Sequence, residues 1–396
     1  MKILAIHNFH RSGIPSGDDQ VFRAETAMLE SHGNEVIRYI AHNDSYYNAG
    51  AFGKLKAATC MLWSVKNYRA VKKLIREERP DVVHVHTFFP LLSPSVLYAA
   101  KKCGVPVVAT LHDTRFICPC ATSLRGTTLC NECGDGHYMR MCRYKCFKGS
   151  GFRSFIIALI FKYHRLRKSF YKQIDRYICL NDNQIKLLTD IGFDSKKIVK
   201  KYNFVADAEA ALSETAGEMI PERYAVLYGR LGEEKGIRFL MKAWDKLDIP
   251  LVVMGDGPLE KEFSEWANTK ENVYYLGYTE HAKCMSIVKN AQFMVFPSIC
   301  YEGCSMVEIE AMSLSKAIVA TDLGFSVESI KEGYNGVKFP LGDDTAFAEK
   351  VRMLWNDPQK CFTMGQNARE EYTRKYMPED NYRELMAVYE TVTGRA

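Results

Sequence analysis

A strand, a loop and a helix leading back to a second strand can be traced in AQFMVFPSICYEGCSMVEIEAMSLSKAIVAT, residues 291–321. The apolar run AQFMVFPS (291–298) ends around Pro297, and a loop carrying Tyr301, Glu302 and Gly303 follows. A buried helical pattern then holds Glu308 and Glu310 before the second strand-like run, KAIVAT (316–321). Short apolar runs separated by a helix make a unit whose strands lie parallel. The unit also poses a question of chemistry. Carboxylates rarely enter such surroundings unpartnered, so Glu302 and Glu310 are either solvated, salt-bridged or holding a ligand.

The same alternation runs through the chain twice. KILAIH (2–7), VIRYI (36–40), DVVHVH (81–86), VPVVATLH (105–112) and RYICL (176–180) alternate with helical patterns, among them DQVFRAETAMLESHG (19–33), which Gly33 ends. A polar stretch of low periodicity, 205–224, interrupts the pattern. It restarts with AVLYGR (225–230), PLVVMGD (250–256), NVYYLG (272–277) and the two runs above. This predicts two doubly wound α/β halves with a cleft between them and ligands off the carboxyl ends of the strands.

Composition agrees. A chain of 396 residues exceeds one ordinary core. Its 47% apolar and 25% charged residues are those of a soluble globular protein. No apolar run reaches the ~18–20 residues that span a bilayer. The start, MKILAIHNFH, reads as a first strand and lacks the features of a signal peptide, so a cytoplasmic location is expected. Seven of the 13 cysteines are scattered singly, as in a reducing compartment, and six crowd into residues 118–146. The formal charge of +6 singles out no partner.

The second half carries the sharper chemistry. YGRLGEEKG (228–236) leaves a strand through Gly229 and Arg230 and reaches Lys235 at a helix start. A planar fork and a point charge on such a loop suit a diphosphate. At GDGP (255–258) glycine lets the backbone approach a ligand. Glu302-Gly303-Cys304-Ser305 precede a helix N-terminus, which favours an anion. Glu310, about two turns on, suits the vicinal hydroxyls of a ribose. Glu308 points away from it on a helical wheel and is expected to be solvated or salt-bridged.

Arg230, Lys235, GDGP and a glutamate pair spaced E-x7-E resemble the retaining glycosyltransferases of family 4, which have the GT-B fold. SGDDQVFRAETAMLESHGNEV (16–36) resembles that family's N-terminal glycine loop and first helix, and residues 81–113 its acceptor-domain core. The resemblance implies an acceptor-binding domain over 1–205, a linker over 206–222, a nucleotide-sugar domain over 223–372 and a helix over 373–396 crossing back. It implies that Arg230 and Lys235 neutralise the departing nucleoside diphosphate and that Glu310 binds the ribose. Glu302 would face the donor sugar, near the backbone of Gly303, Cys304 and Ser305, with His112 also beside the sugar. Gly17, Gly229, Gly255 and Gly277 would line the donor. Ser16-Gly17 stands where the family has two glycines, and GCS stands in place of GFG.

No D-x-D metal motif stands in the expected place, so transfer is expected to need no metal. The insertion 118–146 resembles one found in a branch of the family, and four thiolates, Cys118, Cys130, Cys133 and Cys146, would suit a structural zinc. The alternative there is a set of reduced loop thiols. From Tyr138 to Lys172 there are ten Lys or Arg and no Asp or Glu, and Phe155, Leu159, Tyr163, Leu166 and Phe170 share a helical face. A second basic segment, 51–77, carries Lys54, Lys56, Lys66, Arg69, Lys72, Lys73 and Arg76, with an apolar stripe of Met61, Val65, Tyr68, Val71 and Ile75. Both are expected on an anionic membrane rather than on nucleic acid. The expected partners are a nucleotide sugar, UDP-linked in preference to GDP-linked, and a lipid-linked saccharide at the inner face of the membrane. The competing readings are a nucleotide-sugar epimerase, a glycoside hydrolase using Glu302 and Glu310, and a zinc-containing polyanion-binding module.

Overall fold

The computed structural model describes residues 1–10, 16–44, 50–212 and 220–395, without the side chains of 51, 52, 54–57 and 211. It divides into two compact units, one of residues 1–125, 130–202 and 381–396, the other of 126–129 and 203–380.

The first unit runs β1 (Lys2–Phe9), α1 (Gly17–Ser31), β2 (Glu35–His42), α2 (Gly50–Leu62), α3 (Val65–Glu78), β3 (Val82–Val85), α4 (Ser95–Lys102) and β4 (Val107–Leu111). Next along the chain come β5 (Leu124–Arg125) and β6 (Thr128–Leu129), the latter counted with the second unit, then α5 (Arg140–Arg143), α6 (Gly151–Leu166), α7 (Ser169–Lys172), β7 (Arg176–Cys179), α8 (Asp182–Asp190) and β8 (Ile198–Lys200). The six-stranded sheet is parallel, in the order β2-β1-β3-β4-β7-β8. Val82–Val85 and Val107–Leu111 are buried on both faces, which is why they read as valine-rich runs broken only by His84 and Thr110.

In the second unit, β9 (Ala225–Tyr228), α9 (Ile237–Trp244), β10 (Leu251–Met254), α10 (Glu260–Ala267), β11 (Val273–Tyr275), α11 (His281–Asn290) and β12 (Phe293–Phe296) come first. Then follow α12 (Met306–Ser313), β13 (Ala317–Thr321), α13 (Ser326–Ser329), β14 (Gly336–Phe339), α14 (Asp344–Asn356) and α15 (Pro358–Lys375). The last helix, α16 (Pro378–Thr393), starts in this unit, and from Asn381 its residues belong to the first. The sheet is again parallel, ordered β11-β10-β9-β12-β13-β14. Strand order reverses between β9 and β12, so the loops after these two strands diverge and leave a crevice, where doubly wound sheets bind ligands.

The units meet the chain at places other than those expected. The second begins at Asn203, inside the span 1–205, because that segment is bonded to it. Asn203 N–H donates to Cys304 Sγ (3.4 Å) and Val205 N–H to the Tyr376 carbonyl (3.3 Å). Within the expected linker Ala208–Ala211 form a 3-10 turn, and 213–219 lie outside the described residues. The helix expected over 373–396 begins at Pro378, since α15 continues to Lys375.

The two basic segments also part ways. Met61, Val71 and Ile75 are buried in the core of the first unit, so the stripe on 51–77 faces inward and, of its five residues, only Val65 is exposed. Lys54 and Lys56 lie outside the described side chains. On α6 the reverse holds. Phe152, Phe155, Leu159, Tyr163 and Leu166 are exposed, while Ile157, Ile160 and Phe161 bury the opposite face. Phe170 is not part of that stripe. The helix ends at Leu166, and Phe170 packs on Phe88, Phe116 and Phe161.

Candidate active site

Two loops meet at the switch point of the second unit. After β9 the chain turns through Gly229 and Arg230 into a 3-10 turn, Glu233–Lys235, closed by Gly236. Gly236 has φ 73°, and a Cβ there would fall 1.9 Å from the Pro297 carbonyl oxygen, so only glycine allows the loops to touch. The Glu234 carbonyl accepts from Ile299 N–H (3.0 Å), stitching them together.

This seam places Lys235 Nζ 2.7 Å from Glu302 Oε1. Ser298 Oγ donates to the same oxygen at 2.7 Å. Burial alone would raise the pKa of Glu302, but the charge and hydrogen bond of Lys235 reverse this and hold it low. Burial likewise opposes the charge on Lys235, and Glu302 more than compensates. Arg230 is held only loosely, by Glu234 at 3.4 Å, and its side chain is 45% exposed. A partly sheltered lysine and a reaching guanidinium thus stand on one loop, as a diphosphate requires.

Glu310 is bound from two sides. The Tyr228 hydroxyl lies 2.9 Å from Oε2, and His281 Nε2 3.0 Å from Oε1. The hydrogen bond to Glu310, ahead of the opposing effect of burial, raises the pKa of His281. Glu308 corrects the sequence reading: among the described residues it is neither solvated nor salt-bridged. It is fully buried, with Ser326 Oγ donating to Oε1 (2.8 Å) and Ser329 Oγ to Oε2 (2.7 Å), and it ties α12 to α13. Ser305 caps α12 by accepting from Glu308 N–H at 3.3 Å. The Cys304 carbonyl takes Asn203 Nδ2–H at 3.2 Å. Gly255, following β10, has φ 129° and packs against Gly229, whose carbonyl a Cβ would strike at 1.9 Å; its N–H donates to the Gly277 carbonyl at 2.8 Å. Gly229, Gly255 and Gly277 therefore form one backbone-lined turn cluster, and Arg230 follows the first of them.

Gly17 and His112 belong to the first unit. Gly17 opens α1, next to Ser16, whose Oγ lies 3.0 Å from His10 Nδ1. Asp19 joins His7 Nε2 (2.8 Å) and His10 Nδ1 (3.2 Å). Burial pushes the Asp19 pKa up, and the hydrogen bonds and charges of these two histidines outweigh it, leaving it well below the carboxylate range. His112 follows β4 and lines a pocket with His10, His86, Asp113, Arg115 and Phe116. The sequence reading missed Tyr228, His281 and the histidines of β1 and β3. His84 and His86 left one signal, alternation at i and i+2, which puts both on one face of a strand.

The cysteine-rich insertion brings its thiols near one another without a tight cage. Cys118 is hydrogen-bonded to Cys120, which the expected set omitted, and this bond with the backbone N–H groups of Cys120, Ser123 and Ala121 lowers the Cys118 pKa to about 6 against the effect of burial. Among the described residues no three of these sulfurs have ligand atoms within 4.8 Å of one another; the one such group of His, Cys, Asp and Glu is Glu25, His84 and His86. Burial, and then the charges of Cys118, Cys146 and Cys130, raise the Cys133 pKa, so these four thiols act on one another, and no chemistry is derived through a zinc ion.

Comparison with known proteins gives two family matches in succession. Residues 54–209 match the family model described as Glycosyltransferase Family 4, and residues 216–371 that of Glycosyl transferases group 1. An uncharacterized glycosyltransferase of Methanocaldococcus jannaschii is 25% identical over 362 residues, 91% of this chain and 87% of that one. The alpha-D-kanosaminyltransferase of Streptomyces kanamyceticus is 25% identical over 349 residues, 84% and 82% of the two chains. A capsular polysaccharide biosynthesis glycosyltransferase of Staphylococcus aureus is 26% identical over 52% of this chain and 55% of its own. Among solved structures, Anabaena HepE in complex with UDP superimposes with a TM-score of 0.68 at 17% identity, over 99% of this chain and 100% of that one. That likeness and the two six-stranded parallel sheets give the fold as GT-B. With both family models matching in order along such a fold, the chain belongs to glycosyltransferase family 4, the glycosyl transferases of group 1.

Proposed function

We propose that this glycosyltransferase moves a sugar, with retention of configuration, from a nucleotide-sugar donor to a lipid-linked saccharide in bacterial capsule, O-antigen or exopolysaccharide assembly. A UDP-sugar is the favoured donor and a GDP-sugar the second choice. The observation that carries this reading is Lys235 paired with Glu302 at 2.7 Å, with the half-exposed Arg230 on the same loop at the switch point. As the bond from the anomeric carbon to the diphosphate lengthens, charge gathers on the leaving oxygen. Cations fixed beforehand stabilise that charge without reorganising. The acceptor hydroxyl forms its bond on the same face and gives its proton to the departing phosphate. Arg230 and Lys235 supply the charge a divalent ion would otherwise bring, and transfer proceeds without one. Glu310, oriented by Tyr228 and His281, accepts from the ribose hydroxyls. The names of the relatives and the UDP bound by HepE support the donor and the pathway class.

A glycoside hydrolase fits less well. Its general acid needs a raised pKa, whereas Lys235 holds that of Glu302 down.

The lipid side of the proposal rests on α6. Phe152 and Leu166 are 74% and 75% exposed, and Arg153, Lys162, Arg165 and Arg167 flank the stripe. No helix among the described residues is long and apolar enough to cross a membrane. An interfacial helix of this kind binds reversibly to anionic lipid. The test is incubation with UDP-, GDP- and ADP-sugars and a lipid-linked saccharide extract, with products read by mass spectrometry and the new anomeric proton by NMR. A lengthened, retained product supports the reading, and an inverted linkage or free sugar alone refutes it.

A further inference from the structure

The proposed chemistry leaves unused the most deeply buried charged group of the first unit. Glu25, on α1, is 2% exposed. His84 Nδ1 and His86 Nε2 both lie 3.1 Å from its Oε1, and Lys201 Nζ lies 3.4 Å from its Oε2. Lys201 is itself buried and donates to Asn381 Oδ1 at 2.7 Å. His84 is also engaged by the Tyr389 hydroxyl (2.7 Å) and Thr110 Oγ1 (2.8 Å). The other nitrogen of His86, Nδ1, lies 3.0 Å from His112 Nε2. Glu25, His84 and His86 have the spacing of a metal site, but the Lys201 ammonium already supplies the opposing charge.

Proton counting along this chain has one low-energy solution. Glu25 is ionised: burial opposes its charge, but His84, Lys201 and His86 hold its pKa well below the ordinary value. A bare imidazole nitrogen cannot sit 3.1 Å from a carboxylate oxygen without lone-pair repulsion, so His86 carries its proton on Nε2. Burial and the neighbouring His84 keep His86 neutral, and burial does the same for His112. The Nδ1 of His86 is then a bare acceptor, which His112 Nε2–H must fill. What remains on His112 is a bare Nδ1.

We infer that Glu25, acting through His86, is a positioning residue that fixes His112 as the Nε2–H tautomer, so that the ring offers the pocket a hydrogen-bond acceptor. The ligand class is a hydroxyl that donates. This rests on the proposed function and deepens it, because the family resemblance puts His112 beside the donor sugar. A neutral ring also adds no positive charge beside the oxocarbenium-like carbon. Carboxylates that orient a functional histidine in this way fix its tautomer in other sites.

The chain has ten histidines, few enough for 15N-histidine long-range correlation spectra on the whole protein, with His112 assigned through His112→Gln. Without any ligand, His86 and His112 are expected as neutral Nε2–H rings at neutral pH. In Glu25→Gln, Lys201 can only donate, so it takes the amide oxygen and turns the NH2 toward His86 Nε2. Both rings should then switch to Nδ1–H, and kcat with the best donor of the panel should fall about 10–100-fold. Glu25→Asp should restore the original tautomer. A wild-type His112 found as Nδ1–H or as imidazolium overturns the inference, as does an unswitched spectrum in a folded Glu25→Gln. If that variant does not fold, the wild-type spectrum alone decides. A wild type with the expected tautomer that binds no nucleotide sugar counts against the donor reading instead.

Discussion

Replacing Glu308 with glutamine should stabilise the protein at pH 8 and change little at pH 5. The carboxyl is fully buried with two serine hydroxyls donating to it and, among the described residues, no ion-pair partner. Burial pushes its pKa up from 4.5 to about 7, the serine bonds partly opposing, with Glu302 adding to the rise and Lys235 reducing it. The folded chain therefore keeps a proton that the unfolded chain loses. Stability from this group is full below pH 4.5, falls as pH climbs toward 7, and stays low above. At about 1.4 kcal/mol per unit, that rise amounts to ~3 kcal/mol lost by pH 8. The amide introduced by Glu308→Gln does not ionise, and either serine can reverse its hydroxyl to accept from it. For a unit of this size ~1 kcal/mol moves Tm by about 2–4 °C, so a gain of several degrees is expected at pH 8. Differential scanning calorimetry of both proteins from pH 5 to 8 measures it. An equal loss of stability at both ends would refute the assignment of a raised pKa.

Alanine at Arg230 or Lys235 should cost on the order of 10²–10³ in turnover, read by donor consumption, because each removes charge stabilisation that grows in the transition state. Lys235→Ala leaves burial to raise the pKa of Glu302, so this variant should lose most stability at neutral pH and recover part of it as acid protonates the carboxylate, read as Tm against pH. Gly236→Ala should lower Tm and abolish transfer together, since its Cβ would meet the Pro297 carbonyl at 1.9 Å. Short assays in EDTA should retain most of the transfer rate; strict dependence on added Mg²⁺ would contradict the role given to the two cations. Phe152→Glu with Leu166→Glu should weaken co-sedimentation with anionic vesicles and leave donor hydrolysis unchanged, and equal sedimentation of both proteins would remove α6 from the membrane account.

Every strand-like run read from the sequence became a strand, and most are apolar stretches buried on both faces, the surroundings that make such runs conspicuous. Two edge strands escaped for different reasons. Ile198–Lys200 is short and half-exposed, and Gly336–Phe339 begins on a glycine. Helical periodicity could not separate α3 from α6, since a stripe looks alike whether a core or a solvent faces it. In α3 the core covers it; in α6 the core takes the opposite face, leaving the stripe outside. Arg230, Lys235, Glu302 and Glu310 were legible as residue types at strand ends. Their partners were not, because Lys235 meets Glu302 across 67 positions and Tyr228 meets Glu310 across 82. The buried state of Glu308 depended on Ser326 and Ser329, which carry no pattern in one dimension. The boundary at Asn203 likewise rests on a hydrogen bond to a cysteine 101 residues away.

Isothermal titration of UDP, GDP, UDP-glucose, GDP-mannose and ADP-glucose into the wild-type chain and into Arg230→Ala/Lys235→Ala tests the nucleotide-sugar site most directly. The account expects saturable binding of at least one uridine or guanosine ligand by the wild type, and its loss in a double variant that remains folded. Binding that survives in the double variant, or no binding of any of the five ligands by the wild type, would contradict it.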